Sequence, residues 1–227
     1  MTICTDAILT GLTEQHLVQC NDGTKLHQQL VKPFAALCRA AQQDGIEIKV
    51  ASSFRSYARQ AQIWNAKYLG QKAVLDKDGN QVAIAQLQGI EKLKAILLYS
   101  ALPGASRHHW GTDLDLYDAA AVTAEYQLQL TEQEYGPTGP FYRLANWLAQ
   151  HAGQFGFFLP YQHYQGGVAV EPWHLSYQPI AAHYLAQFSP ELLRNCLIQH
   201  PIAGQSVILQ HLDSIYSRYI SNICEVV

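Results

Sequence analysis

At 227 residues, 48% hydrophobic and 15% charged, the chain is long enough to bury a globular core and too apolar to be disordered or fibrous. A formal net charge of -3 with no Lys/Arg run offers no basic face, which argues against a nucleic-acid partner. No window approaches the roughly 18 apolar residues of a membrane span.

The first residues, Met1 to Gly11, lack the basic flank and unbroken apolar run of a secretory signal. Cys4, Cys20, Cys38, Cys196 and Cys224 are scattered and never paired as C-x-x-C, which suits reduced thiols better than a disulfide frame or a cysteine-held metal. The expected compartment is the cytoplasm, with the periplasm as the alternative for a chain that has lost a leader.

From Lys25 to Asp44 the apolar residues Leu26, Leu30, Val31, Phe34, Leu37, Cys38 and Ala41 recur at helical spacing, and Gly45 stands where a helix stops. Ile46 to Val50 alternates as a strand. It delivers the chain to Ser52-Ser53-Phe54-Arg55-Ser56-Tyr57, beyond which Ala58 to Tyr68 reads as a helix. Arg55 thus lies at a strand-to-helix corner, where it serves either as a surface arginine or as a fixed cation for a carboxylate or developing oxyanion. Residues 70–90, with Asp78-Gly79-Asn80, read as a loop or short hairpin, either an ordinary surface excursion or a lid. Ile90 to Tyr99 follows as a short helix.

Ser106 to Asp118 then places two histidines, three acids and a glycine in thirteen residues. On a pleated strand Asp113 and Asp115 share one face while Leu114 and Leu116 take the other. Gly111 permits a bend that swings His108 back towards the acidic face. Imidazole and carboxylate are both zinc ligands, and a catalytic zinc takes three protein ligands plus a water. This stretch supplies two and needs a third. Adjacent histidines near acids also occur on solvated loops, so a second cluster has to carry the metal reading.

Ala119 to Gly136 reads as another excursion, closed by Pro137 and Pro140. Leu144, Trp147, Leu148 and Phe155 give an amphipathic helix over Phe141 to Phe155, and Phe157, Phe158 and Leu159 are core. Val168 to Val170 reads as the start of a strand, with Pro172 marking an edge or bulge at Glu171. Glu171 and His174 reach one cavity from such an irregular end. His174 would complete a His, Asp, His ligand set, leaving Glu171 off the metal as the base for a zinc-bound water. Alone, Glu-x-x-His has little specificity; its weight comes from co-occurrence with the earlier stretch. Ser189-Pro190-Glu191 starts a helix with a capping hydroxyl and a proline at its first position. Ser206 to Ile223 resumes the helical pattern, predicting a hairpin whose apolar faces pack on the chain's own core, or meet a second copy or a partner. The sequence sets no oligomeric state.

Ser106-x-His108-x-x-Gly111-x-x-x-Asp115, the Glu171-Pro172-Trp173-His174 cluster about sixty residues later, and Ser53-Phe54-Arg55-Ser56-Tyr57 upstream together resemble the LAS zinc peptidases. That group includes the vancomycin-resistance (VanY-like) D-alanyl-D-alanine carboxypeptidases and shares its fold with the hedgehog signalling domain. The resemblance covers roughly residues 25–186. It implies an α+β fold with a small antiparallel sheet carrying the metal, flanked by helices. The expected organisation is a zinc carboxypeptidase domain over 1–188 and a C-terminal helical extension over 189–227 packed on it.

By the same resemblance, Zn2+ is held by His108, Asp115 and His174, Glu171 is the catalytic base, and Arg55 polarises the scissile carbonyl. Ser106 and Gln60 hold the C-terminal end of the substrate, Ser53 and Tyr57 are further substrate contacts, and Trp173 positions its histidine neighbour. Two departures stand out. Asp113 replaces a small residue and is expected to orient a zinc histidine rather than compete as a ligand. His109-Trp110 replaces a less bulky pair and is expected to reshape the pocket. The implied activity is D,D-carboxypeptidase cleavage of the terminal D-Ala-D-Ala bond of peptidoglycan stem peptides or precursors. An L,D-carboxypeptidase, a murein endopeptidase and a non-catalytic zinc-stabilised binding module are the alternatives, and Glu171 with Arg55 favours an enzyme.

Overall fold

The alternation of acids and leucines in the Asp113 stretch divides a sheet into two unlike faces, and the fold is arranged on that division. The computed structural model describes residues 4–225. Its elements are α1 (Asp6–Leu9), β1 (Leu17–Gln19), β2 (Lys25–His27), α2 (Val31–Gln43), β3 (Ile48–Ser52), α3 (Tyr57–Tyr68), α4 (Gly89–Leu97) and β4 (Asp113–Asp118). They continue with α5 (Glu132–Tyr135), α6 (Tyr142–His151), β5 (Phe157–Phe158), β6 (His174–Tyr177), α7 (Gln178–Gln187), α8 (Pro190–Gln199), α9 (Gln205–Gln210) and α10 (Leu212–Ile215). The architecture is α+β. None of the described helices is long and apolar enough to cross a membrane.

β1 and β2 pair as a small antiparallel ribbon, and the larger sheet has the order β3-β4-β6-β5, antiparallel throughout. Its central register sets Asp115 opposite His174 and Asp113 opposite Ser176, with Leu114 opposite Leu175 between them. Directly paired residues share a face, so the polar four point one way and the leucines the other. The apolar face is covered by α2 and α6, where Leu37, Leu144 and Leu148 pack with Leu114, Leu116 and Leu175. A second core gathers Trp64, Leu93 and Ile96 from α3 and α4 with Tyr184, Leu193, Leu197, Ile208 and Leu212 from the last helices. The hairpin tail therefore packs on its own chain. Trp64 Nε1 donates to the Ala203 carbonyl at 2.9 Å, and Asn65 Oδ1 accepts from the Ala203 N–H at 2.9 Å.

Several expected elements differ. The helix predicted from Lys25 begins at Val31. Leu26 fits both patterns, but Lys25–His27 is taken by β1, and His27 N donates to the Gly111 carbonyl at 2.8 Å. The strand predicted at Ile46 lies at Ile48–Ser52. Val168–Val170 is not a strand: this stretch is an irregular loop tied by Ala169 N to the Leu98 carbonyl (2.9 Å) and by Glu171 N to the Tyr161 carbonyl (3.0 Å), and β6 starts only at His174. Residues 70–90 contain a tight turn in which Asp76 Oδ1 accepts from the N–H groups of Asp78 and Asn80, with one bridge between Leu75 and Gln81.

Candidate metal centre and active site

The chain enters β4 through a 3-10 turn, Arg107–Trp110, ended by Gly111 at φ 66°. A Cβ at Gly111 would lie 2.4 Å from Leu17 Cδ2 and 2.9 Å from His27 N, so both the left-handed backbone and the close approach of the β1–β2 ribbon require glycine. That reversal folds His108 over the polar face of the sheet. Its Nε2 lies 3.4 Å from Asp115 Oδ2, and across the register His174 Nδ1 lies 3.5 Å from Asp115 Oδ1. One ligand atom from each of the three falls within 4.8 Å of the others.

The orientation of each ring is fixed from behind. The Ser53 carbonyl lies 2.9 Å from His108 Nδ1; a carbonyl only accepts, so Nδ1 carries the proton and Nε2 presents its lone pair. Asp113 Oδ1 lies 2.9 Å from His174 Nε2, which turns Nδ1 towards Asp115 and Glu171. Asp113 is held in turn by Arg107 Nε at 2.7 Å and Thr112 Oγ1 at 2.7 Å, while Arg107 also donates to Ser176 Oγ at 2.6 Å. Asp113 thus lies on the His174 nitrogen that faces away from Asp115.

The electrostatics of the cluster are set by its buried acids. Burial works against ionising Asp113, but Arg107 and His174 hold it well below the usual carboxylate range. Burial likewise opposes charge on Asp115, and His108, His174 and Arg55 lower it. Burial disfavours a charged His174 too, yet hydrogen bonds to Asp113 and Glu171, with Asp115 beside it, raise it to about 10. Asp113, Asp115 and Glu171 thus favour the charged form of His174. Among the described residues Asp115 Oδ1 is buried with no hydrogen-bond partner, a costly state for a carboxylate oxygen unless a cation meets it. Two imidazoles and a carboxylate also form a donor set that suits zinc.

Glu171 sits at the edge of this cluster, its Oε2 3.1 Å from His174 Nδ1. The turn that brings them together is closed by His174 N donating to the Glu171 carbonyl at 3.1 Å. Arg55 approaches from the β3–α3 corner, its Nη2 3.9 Å from Asp115 Oδ2. Its guanidinium donates to Gln60 Oε1 and Ser52 Oγ, both at 2.9 Å, and Gln60 is anchored by donating to the Ala101 carbonyl at 2.6 Å. The Ser106 hydroxyl is buried without a hydrogen-bond partner among the described residues and lines the cleft. Trp173 lines the cleft and packs on Tyr135, with ring centroids 5.4 Å apart.

Two expected substrate contacts are placed elsewhere. Tyr57 is buried in the helical core with its hydroxyl donating to the His200 carbonyl, and it does not line the cleft. Ser53 contributes its carbonyl to His108, and its side chain is not part of the cleft wall either. The pair His109-Trp110 does not reshape the pocket. His109 Nε2 accepts from Gly104 N at 3.0 Å and its Nδ1 donates to the Arg55 carbonyl at 2.5 Å, while Trp110 Nε1 donates to the Leu9 carbonyl at 3.1 Å. Burial drops His109 to about 3, so it stays a neutral spacer.

Sequence reasoning missed Arg107 and Tyr161. Arg107 lies inside the motif, and its role shows only in its contacts with Asp113 and, across the sheet, Ser176. Tyr161 packs its ring on His174 at 5.0 Å and lines the same cleft of ≈ 610 Å³, and burial raises its hydroxyl above the ordinary range. No spacing links it to the ligands.

A family model described as VanY, D-alanyl-D-alanine carboxypeptidase, matches residues 23–180. An uncharacterised protein of Haemophilus influenzae is 40% identical over 121 residues, 52% of this chain and 92% of that protein. Among solved structures, VanYB in complex with D-Alanine-D-Alanine is similar with a TM-score of 0.50 and 25% identity, covering 79% of this chain and 87% of that one. A mutant of the vancomycin-resistance D,D-pentapeptidase VanY in complex with Zn(II) shares the fold with a TM-score of 0.50 and 21% identity, covering 86% and 92%.

Proposed function

The chain belongs to the VanY family of D-alanyl-D-alanine carboxypeptidases, and from that premise we propose that it is a zinc-dependent D,D-carboxypeptidase removing the terminal D-alanine of peptidoglycan stem peptides or their precursors. One observation carries the reading: His108 Nε2, Asp115 and His174 Nδ1 converge, with the Glu171 carboxylate 3.1 Å from the last of them. A binding module needs the three ligands but no such base. The complex of VanYB with D-Alanine-D-Alanine supports a substrate that ends in D-alanine.

Zinc held by His108, Asp115 and His174 supplies Lewis acidity and a lowered pKa for a bound water. The chain's own groups do the rest. Glu171 accepts the proton of the attacking water and returns it to the departing amine. Arg55, braced by Gln60 and Ser52, donates to the oxyanion as the amide carbon becomes tetrahedral. Asp113 and the Ser53 carbonyl keep the two imidazoles in the tautomers that leave a lone pair facing inward. The unpartnered Ser106 hydroxyl is left to donate to the carboxylate of the terminal residue.

Elemental analysis should find zinc, and incubation with pentapeptide and tetrapeptide stems followed by mass spectrometry should show D-alanine released from the pentapeptide. Release from the tetrapeptide alone reassigns the enzyme as an L,D-carboxypeptidase, and no release from either overturns the reading. Glu171→Gln should keep its zinc and lose about 10²-fold or more in kcat. Turnover at the parent rate would remove Glu171 from its role.

A further inference from the structure

α3 runs away from Arg55 with Gln60, Ile63 and Lys67 on one helical face, and all three line the cleft. Gln60 is committed to Arg55 and the Ala101 carbonyl. Lys67 is therefore the ionic group that this face presents to the cleft beyond Arg55. Seven residues of helix carry its Cα about 10 Å past that of Gln60, a distance that about three residues of extended peptide would span.

Lys67 Nζ donates to Ser100 Oγ at 2.5 Å, and no carboxylate among the described residues lies within 4.0 Å of it. Lys72 returns to the same wall through a turn in which its N–H donates to the Ala66 carbonyl at 3.1 Å, adding a second ammonium. Burial, with the Lys72 charge beside it, pulls Lys67 down to about 8, so it remains charged at neutral pH. Glu171, on the same cleft, acts on Lys67 only from beyond contact distance. A half-buried cation with no carboxylate in contact has given up hydration, and an anionic ligand group restores what it lost.

We propose that Lys67, with Ser100 and Lys72 beside it, forms a subsite for an acidic side chain of the peptide substrate, about two to four residues before the bond that is cut. The assignment rests on the carboxypeptidase reading and deepens it: the metal end selects the terminus, and the lysine end selects a carboxylate further back.

The test compares zinc-loaded parent protein, Lys67→Met and Lys67→Arg on peptides ending in D-Ala-D-Ala that differ only in Glu or Gln at the second, third or fourth residue before the cut. The parent should prefer Glu at one of these positions by about tenfold in kcat/KM. That ratio should fall towards one in Lys67→Met and recover in Lys67→Arg. No preference at any position, an unchanged ratio in Lys67→Met, or a preference that follows only the terminal carboxylate overturns the subsite. If neither peptide is hydrolysed, the carboxypeptidase reading has failed by itself, and calorimetric titration decides the subsite. A Glu preference in binding that Lys67→Met abolishes upholds it, and equal affinity of the parent for both peptides overturns it.

Discussion

Asp113 receives His174 and Arg107 on one oxygen and Thr112 on the other, all while fully buried. Removing it in Asp113→Ala strands the Arg107 charge and frees the His174 ring. Zinc affinity measured by chelator competition should fall about 10- to 100-fold, and stability in a denaturant melt by about 3 to 5 kcal/mol. At this scale the convergence of His108, Asp115 and His174 was legible in the sequence, the first two from strand alternation and a glycine bend, which are local rules, and the third from the co-occurring cluster about sixty residues on. Tyr57 was misread because a hydroxyl next to a motif looks like a substrate contact, whereas the start of α3 rotates it into the helical core. Arg107 and Tyr161 were missed: Arg107 meets the nearby Asp113 only because the Gly111 reversal folds it back, and its second partner, Ser176, lies across the sheet, while Tyr161 sits on a loop with no spacing to the ligands.

Elements with periodic apolar residues and a cap were read almost to their ends. Ser189, expected to start a helix, accepts from Leu192 N at 3.1 Å at the head of α8, with Pro190 in the first turn. Ser189→Ala should cost about 1 kcal/mol, visible as a lower denaturant midpoint with an unchanged slope. Where two patterns overlapped, pairing decided. Leu26 belongs to a helical series and to an alternating one, and the nearby partner strand Leu17–Gln19 took it. The β-branched residues at Val168 and Val170 suggested a strand, but Gly166 and Gly167 precede them and the backbone is instead tied to Leu98 and Tyr161. The tail's second arm breaks into α9, α10 and a π-helical turn, Tyr216–Ile220, that no spacing announced.

Across the molecule, two cores meet at the β1–β2 ribbon, where His27 lies 3.1 Å from the Tyr184 hydroxyl of α7 through Nε2, and its Nδ1 accepts from Gln29 N at 3.2 Å. Burial, helped by His16, lowers His27 from 6.5 to about 4. Above pH 6.5 both folded and unfolded chains hold it neutral. As pH falls from 6.5 to about 4 only the unfolded chain takes up the proton, so stability drops across that window. Thermal melts should show the loss, and His27→Gln should flatten its slope.

The family match stops at residue 180, yet the polymer's last turns reach back to the chemistry. Asn222 Nδ2 donates to the Gln165 carbonyl at 2.9 Å, Cys224 N to the Pro160 carbonyl at 2.9 Å, and Arg218 Nε to the Gly166 carbonyl, all on the loop that carries Tyr161 and Glu171. A leash of this kind makes the proton acceptor answerable to a segment some fifty residues downstream. Snipping the chain after Ile220 should slacken it, so that turnover declines more steeply than melting temperature.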